Sequence, residues 1–398
     1  MTAKPVFSRT DTIIFMGGIT ALTATSIDVV LPAVGEVARA FEEPDSRGAL
    51  LVGVYLISFA IGQLFWGVFS DAYGRRLSLI LSLTGFTVAS LACALAPDYQ
   101  SLLYARCAQG LMGGAPVIAR AMVRDVASGN EAARIMTVLG AVLTIATMFA
   151  PVIGSGLLIL FDWRAIFFAL ALLGAVFLIY TVLALGETNE RRRPERFTLG
   201  FLIHAGRTLL SARAFVIPTV VGSLTFAGYV SVGAVGAITV EARYGVAPEA
   251  FGALFAIAAL MNTGGALLAG QLLRRITLSQ VGLVAVSTMA LAAFVQFAMF
   301  WIEPGLQLFW GGVCMYVFAL GIILPTSIAA CMEPAGEMPG FAASLYGSIQ
   351  MTCGTFGALV ASSLFDGTHQ AISLSMALFG GLAATFYFVG KWMLGMKN

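Results

Sequence analysis

The sequence predicts an all-α integral membrane protein with twelve membrane-spanning helices in two pseudo-symmetric six-helix bundles. Three observations predict it. Hydrophobic residues make up 59% of the 398 and charged residues only 11%, against about 25% charged in soluble domains. Twelve apolar runs are each long enough to cross a bilayer, and one polar stretch divides them six and six. A chain with so little polar surface needs lipid as the solvent for most of its exterior. Its net charge of +2 gives no basic field for nucleic acid.

A span needs about 20 apolar residues. That ruler places spans over 13–34, 49–70, 77–96, 101–123, 135–160, 164–186, 214–240, 251–273, 278–301, 306–331, 341–364 and 371–394. The first run follows Lys4 and Arg9. It is longer than a signal-peptide core and no small-residue cleavage site follows, so it reads as an uncleaved span. The polar stretch 187–213 carries Glu187, Glu190, Arg191, Arg192, Arg193, Pro194, Glu195, Arg196, Arg207 and Arg213. It reads as a cytoplasmic linker between an N-terminal bundle, 1–186, and a C-terminal bundle, 214–398.

Basic residues set the orientation. With the amino terminus inside, sixteen Lys and Arg lie on the cytoplasmic side and four, Arg39, Arg47, Arg164 and Arg243, lie outside. This predicts a multi-pass protein with both termini cytoplasmic. Gly62-Gln63-Leu64 closes span 2 and Gly270-Gln271-Leu272 closes span 8, and paired arginines follow each. The placement suits a duplicated six-helix unit.

The five cysteines sit in apolar runs with no CxxC and read as inert buried thiols. His204 and His369 fall in expected loops, and no metal cluster is legible. A phosphate-cradling G-x-x-x-x-G-K-[ST] loop is missing, and so is a nucleophile–base pair, which argues against ATP use and against an enzyme. The spans carry no polar pore lining or charged ring of the kind a channel needs.

Charge inside hydrocarbon is costly and marks function. Asp28 lies about six residues from the outer end of span 1, and Arg106 about five from the outer end of span 4. At 1.5 Å per residue both sit roughly 8–9 Å below the boundary. Equal depth lets them meet across a helix interface. The pair reads as a proton site, the carboxylate loading and releasing H⁺ as its surroundings change, or as a static ion pair fixing span 1 on span 4.

A substrate cavity belongs between the halves at mid-depth. Mid-span candidates to line it are Ser26, Tyr55, Gln109, Thr225, Phe226, Tyr229, Asn262, Tyr346 and Gln350. Few charges and many aromatic and methionine side chains favour neutral or lipophilic amphiphiles.

After span 2 the chain reads Gly67-Val68-Phe69-Ser70-Asp71-Ala72-Tyr73-Gly74-Arg75-Arg76. Asp71 is a candidate helix cap and Gly74 a turn. The stretch resembles the G-x-x-x-D-x-x-G-R-[RK] loop of the major facilitator superfamily in both spacing and place. The resemblance implies the major facilitator fold. It also implies a conformational latch of Gly67, Asp71, Gly74, Arg75 and Arg76, bound near the start of span 11, with Asp125 as a further partner.

Span 4 supplies Arg106-x-x-Gln109-Gly110, Gly113-Gly114 and Arg120-x-x-x-Arg124-Asp125. It resembles the fourth-helix motif of proton-coupled drug exporters, which implies a proton-transfer role for Arg106. Arg120 reads as snorkelling to the headgroups. In span 5, Ala150-Pro151-Val152-Ile153-Gly154-Ser155 resembles the antiporter motif G-P-x-x-G-G, with Ala150 and Ser155 departing from it. Pro151 and Gly154 would kink that helix. Ser26-Ile27-Asp28-Val29-Val30-Leu31-Pro32-Ala33, Asp162-Trp163-Arg164-Ala165-Ile166-Phe167 and Pro339-Gly340-Phe341-Ala342-Ala343-Ser344-Leu345 are together similar to the bacterial Bcr/CflA (bicyclomycin/chloramphenicol resistance) exporters.

That resemblance implies a secondary transporter in the bacterial inner membrane. It would export small amphiphilic drugs or metabolites in exchange for protons by alternating access. The proton gradient supplies the energy without a cofactor, and the partners are substrate, protons and lipid around a monomer. The alternative is a proton-coupled importer or uniporter of a small polar metabolite.

Overall fold

A computed structural model describes residues 9–127, 129–189, 194, 197–247, 250–335 and 339–393. Most of the cluster of linker charges, residues 190–193, 195 and 196, and the terminal Lys4 and Lys397 lie outside them. The described residues form helices and no strand. Ten stretches are long and apolar enough to cross a membrane. A broken helix pair and one further helix fit the remaining two spans.

Span 1 is α1 (Arg9–Asp28), a turn, and α2 (Val34–Ala40). Pro32 has no N–H to give, so the helix is interrupted inside the stretch expected to be continuous. Spans 2 and 3 are α3 (Gly48–Tyr73) and α4 (Arg75–Ala94). Span 4 is not one helix but two, α5 (Tyr99–Leu111) and α6 (Ala115–Val126). Pro116 cannot donate to the carbonyl one turn back, which breaks the ladder. At the end of α5, Trp66 Nε1 of α3 donates to the Leu111 carbonyl at 2.8 Å, so a side chain from a neighbouring helix serves one of the carbonyls at the break. Gly110, Gly113 and Gly114 lie against α3 at Tyr55, Phe59 and Trp66 with no room for a Cβ.

Spans 5 and 6 are α7 (Gly129–Leu160) and α8 (Trp163–Ala184). The stretch expected as a plain linker contains a further helix, α9 (Leu199–Ser211), whose start is capped by Thr198. His204 therefore lies in a helix, a correction to the loop expected there. The second half runs α10 (Arg213–Tyr244), α11 (Phe251–Leu272), α12 (Leu278–Phe300), α13 (Leu306–Met332), α14 (Pro339–Ser363) and α15 (Gln370–Met393). His369 precedes α15, buried, with Nε2 3.0 Å from the Met299 carbonyl.

Large apolar side chains such as Leu172, Leu183, Leu267 and Phe294 stand outward and exposed, as lipid-facing surface requires. Within the first half α4 packs on α8, α3 on α5 and α1 on α7; within the second, α11 on α13 and α12 on α15. Two seams join the halves, α3 with α14 and α7 with α11. Close approach without a hydrophobic driving force needs small residues. Gly53 and Ala60 give their carbonyls to Thr355 and Ser348, and Gly67 lies against Ser344. These positions recur every seven residues along α3, so one face meets α14 along its length. All five cysteines are free thiols.

Candidate functional site

The amino end of α5 fixes the height of Arg106. Asp98 caps that helix, accepting from the Ser101 N–H at 2.8 Å, and Ser101 closes the reciprocal box. Two turns on, Arg106 enters the interior with no exposed surface. Its Nη1 donates to Gln109 Oε1 at 2.7 Å and to the Ser26 carbonyl at 3.3 Å, and Nε donates to the Leu51 carbonyl at 3.3 Å. Nη2 has no hydrogen-bond partner. The guanidinium lies over the Tyr55 ring at 4.4 Å and the Phe167 ring at 5.7 Å. Carbonyl dipoles and ring faces thus solvate the cation where a carboxylate was expected.

The expected pairing of Asp28 with Arg106 is a misreading, because no ion pair joins them among the described residues. The reason is angular. Ser26, not Asp28, meets Arg106, and two residues further along a helix is a rotation of about 200°. Asp28 therefore faces away from span 4. It is buried, 6% exposed, and within electrostatic reach of Tyr229 on α10. Tyr229 packs on Phe226 and on Phe255 of α11, with ring centroids 5.8 and 6.0 Å apart. The acid is thus buried near the second half, with Tyr229 in electrostatic range.

The substrate-cavity candidates divide into three sets. Ser26, Tyr55 and Gln109 are committed to the Arg106 cage: Ser26 Oγ and Tyr55 Oη are 2.7 Å apart, and Gln109 Nε2 donates to Ser90 Oγ at 2.7 Å. Phe226 and Tyr229 pack on one another on α10, with Tyr229 within electrostatic reach of Asp28. The rest stand apart. Thr225 Oγ1 donates to its own helix at the Val221 carbonyl. Asn262 packs against Gly321, and Gln350 is buried on α14. Tyr346 turns into the second half, its phenol beside Gly222 with no hydrogen-bond partner.

Span 5 presses on this same region. Gly154 lies against the Val29 carbonyl, next to Asp28, with no space for a Cβ. One residue on, Ser155 Oγ accepts from the Gly252 N–H of α11 at 3.2 Å, and the Pro151 carbonyl also lies against Gly252. The Pro151–Ser155 segment therefore touches the turn after Asp28 and the other half at once.

The loop after span 2 is built around Arg75, which is 5% exposed. It bonds Asp71 Oδ1 at 2.6 Å and Asp125 Oδ2 at 2.8 Å. Asp71 is not a helix cap, since it lies inside α3. The cap of α4 is Glu187, which accepts from the backbone N–H groups of Arg75 and Arg76 at 2.9 and 3.3 Å. Gly74 has φ 106° and the Glu187 carboxylate against its Cα, so only glycine suits both the backbone and the space. Asn189 Nδ2 donates to the Asp71 carbonyl at 3.1 Å, and Thr188 Oγ1 donates to Asp125 at 3.3 Å. Arg76 Nη2 bonds the Val182 carbonyl. Sequence reasoning missed Glu187, Thr188 and Asn189 because they read as the start of a linker; three polar residues directly after the last apolar residue of span 6 were the available signal. Across the half interface Gly67 meets Ser344, and Arg124 lies against Gly340 at the start of α14. Arg120 is half-buried with Arg124 as its charged neighbour.

Known proteins resemble this chain in sequence and in fold. The chain is 30% identical to an uncharacterized MFS-type transporter, YdgK, of Bacillus subtilis over 350 residues, 85% of each chain. It is 27% identical to a bicyclomycin resistance protein homolog of Haemophilus influenzae over 361 residues, 89% of each chain. A crystal structure of a D-xylose–proton symporter superposes with a TM-score of 0.73 at 16% identity, covering 97% of this chain and 98% of that one; at that identity the likeness concerns the fold. The family model for the Major Facilitator Superfamily matches residues 15–362. The chain is a member of the Major Facilitator Superfamily of membrane transporters.

Proposed function

We propose that the protein is a secondary active exporter that moves small amphiphilic compounds out of the cytoplasm in exchange for protons. The observation that carries this reading is the placement of Asp28. It is a buried carboxylate within electrostatic reach of Tyr229 of the second half, in a chain with a relative named for bicyclomycin resistance.

A carboxylate between the halves is stable while water reaches it and costly once they close over it. Protonation removes the cost, so the closed, exchanging state forms with H⁺ aboard. Opening on the other side restores water and releases the proton. An amphiphile seated on Phe226, Tyr229 and Phe255 that gives a hydrogen bond to the ionised Asp28 offsets the same cost, so the halves close with either proton or substrate aboard and the two exchange. One charge crossing 100 mV is worth about 2.3 kcal/mol, enough for a substrate gradient of roughly fortyfold.

Arg106 is a positioning residue in this scheme. It fixes the Ser26 carbonyl, and through it the azimuth of Asp28 two residues on. The residues from 67 to 76, with Asp125 and Glu187, form the latch at the linker end. The two bundles, 1–186 and 214–398, act as the moving bodies, in a monomer with both termini in the cytoplasm.

The test is a drug-susceptibility panel in an efflux-deficient bacterial host, paired with proton-flux measurements in everted vesicles. Wild type should raise resistance and discharge the proton gradient when substrate is added. Asp28→Asn should lose both while keeping substrate binding. Uphill transport by Asp28→Asn at the wild-type rate would remove the proton role. Gradient-driven accumulation inside cells would establish the importer reading instead.

A further inference from the structure

The second half contains a cavity of about 280 Å³ that belongs to neither the inter-half interface nor the latch. Every residue lining it comes from the second half, on α10, α12, α13 and α15, with Glu333 just beyond α13. These helices pack in a ring, α10 on α13, α13 on α12, α12 on α15 and α15 on α10, and the hollow is its centre. The walls are apolar, with Ile217, Val221, Ala285, Val286 and Ile323. At the inner end Thr326 Oγ1 already donates to the Ile322 carbonyl at 2.8 Å, so it makes no demand on a guest.

The first half shows that the fold does not require this hollow. At the matching level Phe15 meets Phe177 edge-on and stacks on Tyr180, with centroids 5.9 and 4.5 Å apart. Gly18 lies against Phe177 with no room for a Cβ. The first half sets three rings between α1 and α8 at this level, and the second half has open space there. An apolar space of this size, about twice the ~150 Å³ that takes up benzene in an engineered core, has room for part of one acyl chain.

The mouth identifies the occupant. It is built at helix termini: Arg213 begins α10, Ser279 lies in the first turn of α12, Glu333 follows α13 and Tyr387 is near the end of α15. The opening therefore lies where spans leave the membrane, at headgroup level. Beside it α9 exposes Ile203 and Leu210, apolar residues suited to the bilayer boundary. Arg213 and Glu333, both exposed, put one charge of each sign at the rim, which matches a zwitterionic headgroup better than an anionic one. We infer that this hollow binds a zwitterionic phospholipid, with its phosphoethanolamine between Arg213 and Glu333 and one acyl chain among α10, α12, α13 and α15.

Native mass spectrometry of the full-length protein, delipidated and then offered phosphatidylethanolamine or phosphatidylglycerol, tests the site. Wild type should retain phosphatidylethanolamine at least fivefold better. Ala285→Phe, which fills the hollow, should lower that retention at least fivefold, and Glu333→Gln should remove the preference between the two lipids. Phe294→Ala, on the lipid-facing side of α12, should change nothing. Equal retention by Ala285→Phe and wild type, or a wild-type preference for phosphatidylglycerol, overturns the inference. Should Ala285→Phe fail to fold, a phosphatidylethanolamine with a chain-borne diazirine decides the matter in wild type. Crosslinks at Ala285, Val286 or Ile323 support the site, and crosslinks confined to other surfaces refute it.

Discussion

The two halves share a scaffold and differ in what they bury. In each, an indole ties neighbouring spans by donating to a helix carbonyl: Trp66 to Leu111 in the first and Trp310 to Leu254 in the second, both at 2.8 Å. In each, a buried tyrosine bonds the first helix of its half, Tyr55 meeting Ser26 and Tyr316 donating to the Thr225 carbonyl at 3.1 Å. Beyond that the likeness ends. The first half holds a buried arginine, a buried aspartate and a group of packed rings towards its linker end. The second holds an aromatic wall, a neutral interior among its described residues and a hollow. These bonds recur in both halves, while the deep charges lie in the first. Charge in hydrocarbon is expensive, so one buried cation with its dipolar cage costs less than two.

Arg106→Ala attacks that difference most directly. It leaves the Ser26 and Leu51 carbonyls and Gln109 Oε1 without their donor, at about 1–3 kcal/mol each. Thermal unfolding of purified protein should show a loss of about 3–5 kcal/mol, and transport should stop. Arg106→Lys keeps the charge without the planar fork and should cut transport at least tenfold. Wild-type transport by Arg106→Lys would show that charge alone suffices.

The ring-packed and hollow linker ends give the next effect. Phe177→Ala removes a ring from the first-half group and should cost about 2–4 kcal/mol. Val221→Leu adds a methylene to the second-half hollow and should be neutral or stabilising by up to about 0.8 kcal/mol. Equal damage from both, in the same unfolding assay, would mean that the hollow is as tightly specified as the rings.

Tyr316→Phe deletes the one hydrogen bond that parallels Tyr55 and should cost about 1 kcal/mol. A loss as large as that of Arg106→Ala would erase the contrast between the halves. The smallest effect is expected where the halves meet at an exposed ion pair, Arg39 with Glu241 at 3.1 Å. A double-mutant cycle there should give a coupling below about 0.5 kcal/mol, because both groups remain in water.

Most of the fold was legible in the sequence, and the misses have local causes. Apolar length alone located the spans, since lipid imposes a fixed thickness. It passed over the breaks at Pro32 and Pro116, because hydropathy does not register a missing N–H. It passed over α9, a helix short of a span inside a stretch dominated by charge. At the site, depth was readable and azimuth was not. Ser26 and Asp28 share a level, but which one meets Arg106 depends on the rotation of α1 against α5, and no residue count supplies that. Glu187 reads as a linker charge until the end of α8 is brought beside Gly74.

By itself the sequence determined that this chain lives in a membrane, and it led to the expectation of two sets of six spans with Asp28 and Arg106 as the charges deep inside them. Those properties follow from composition and from rise per residue, which are sums along a chain. Only the tertiary structure decided that the acid and the base turn away from each other, that a carbonyl cage takes the acid's expected place and that one half is hollow where the other packs rings. These are matters of direction and of volume left over, which arise only when helices from distant parts of the chain are set side by side.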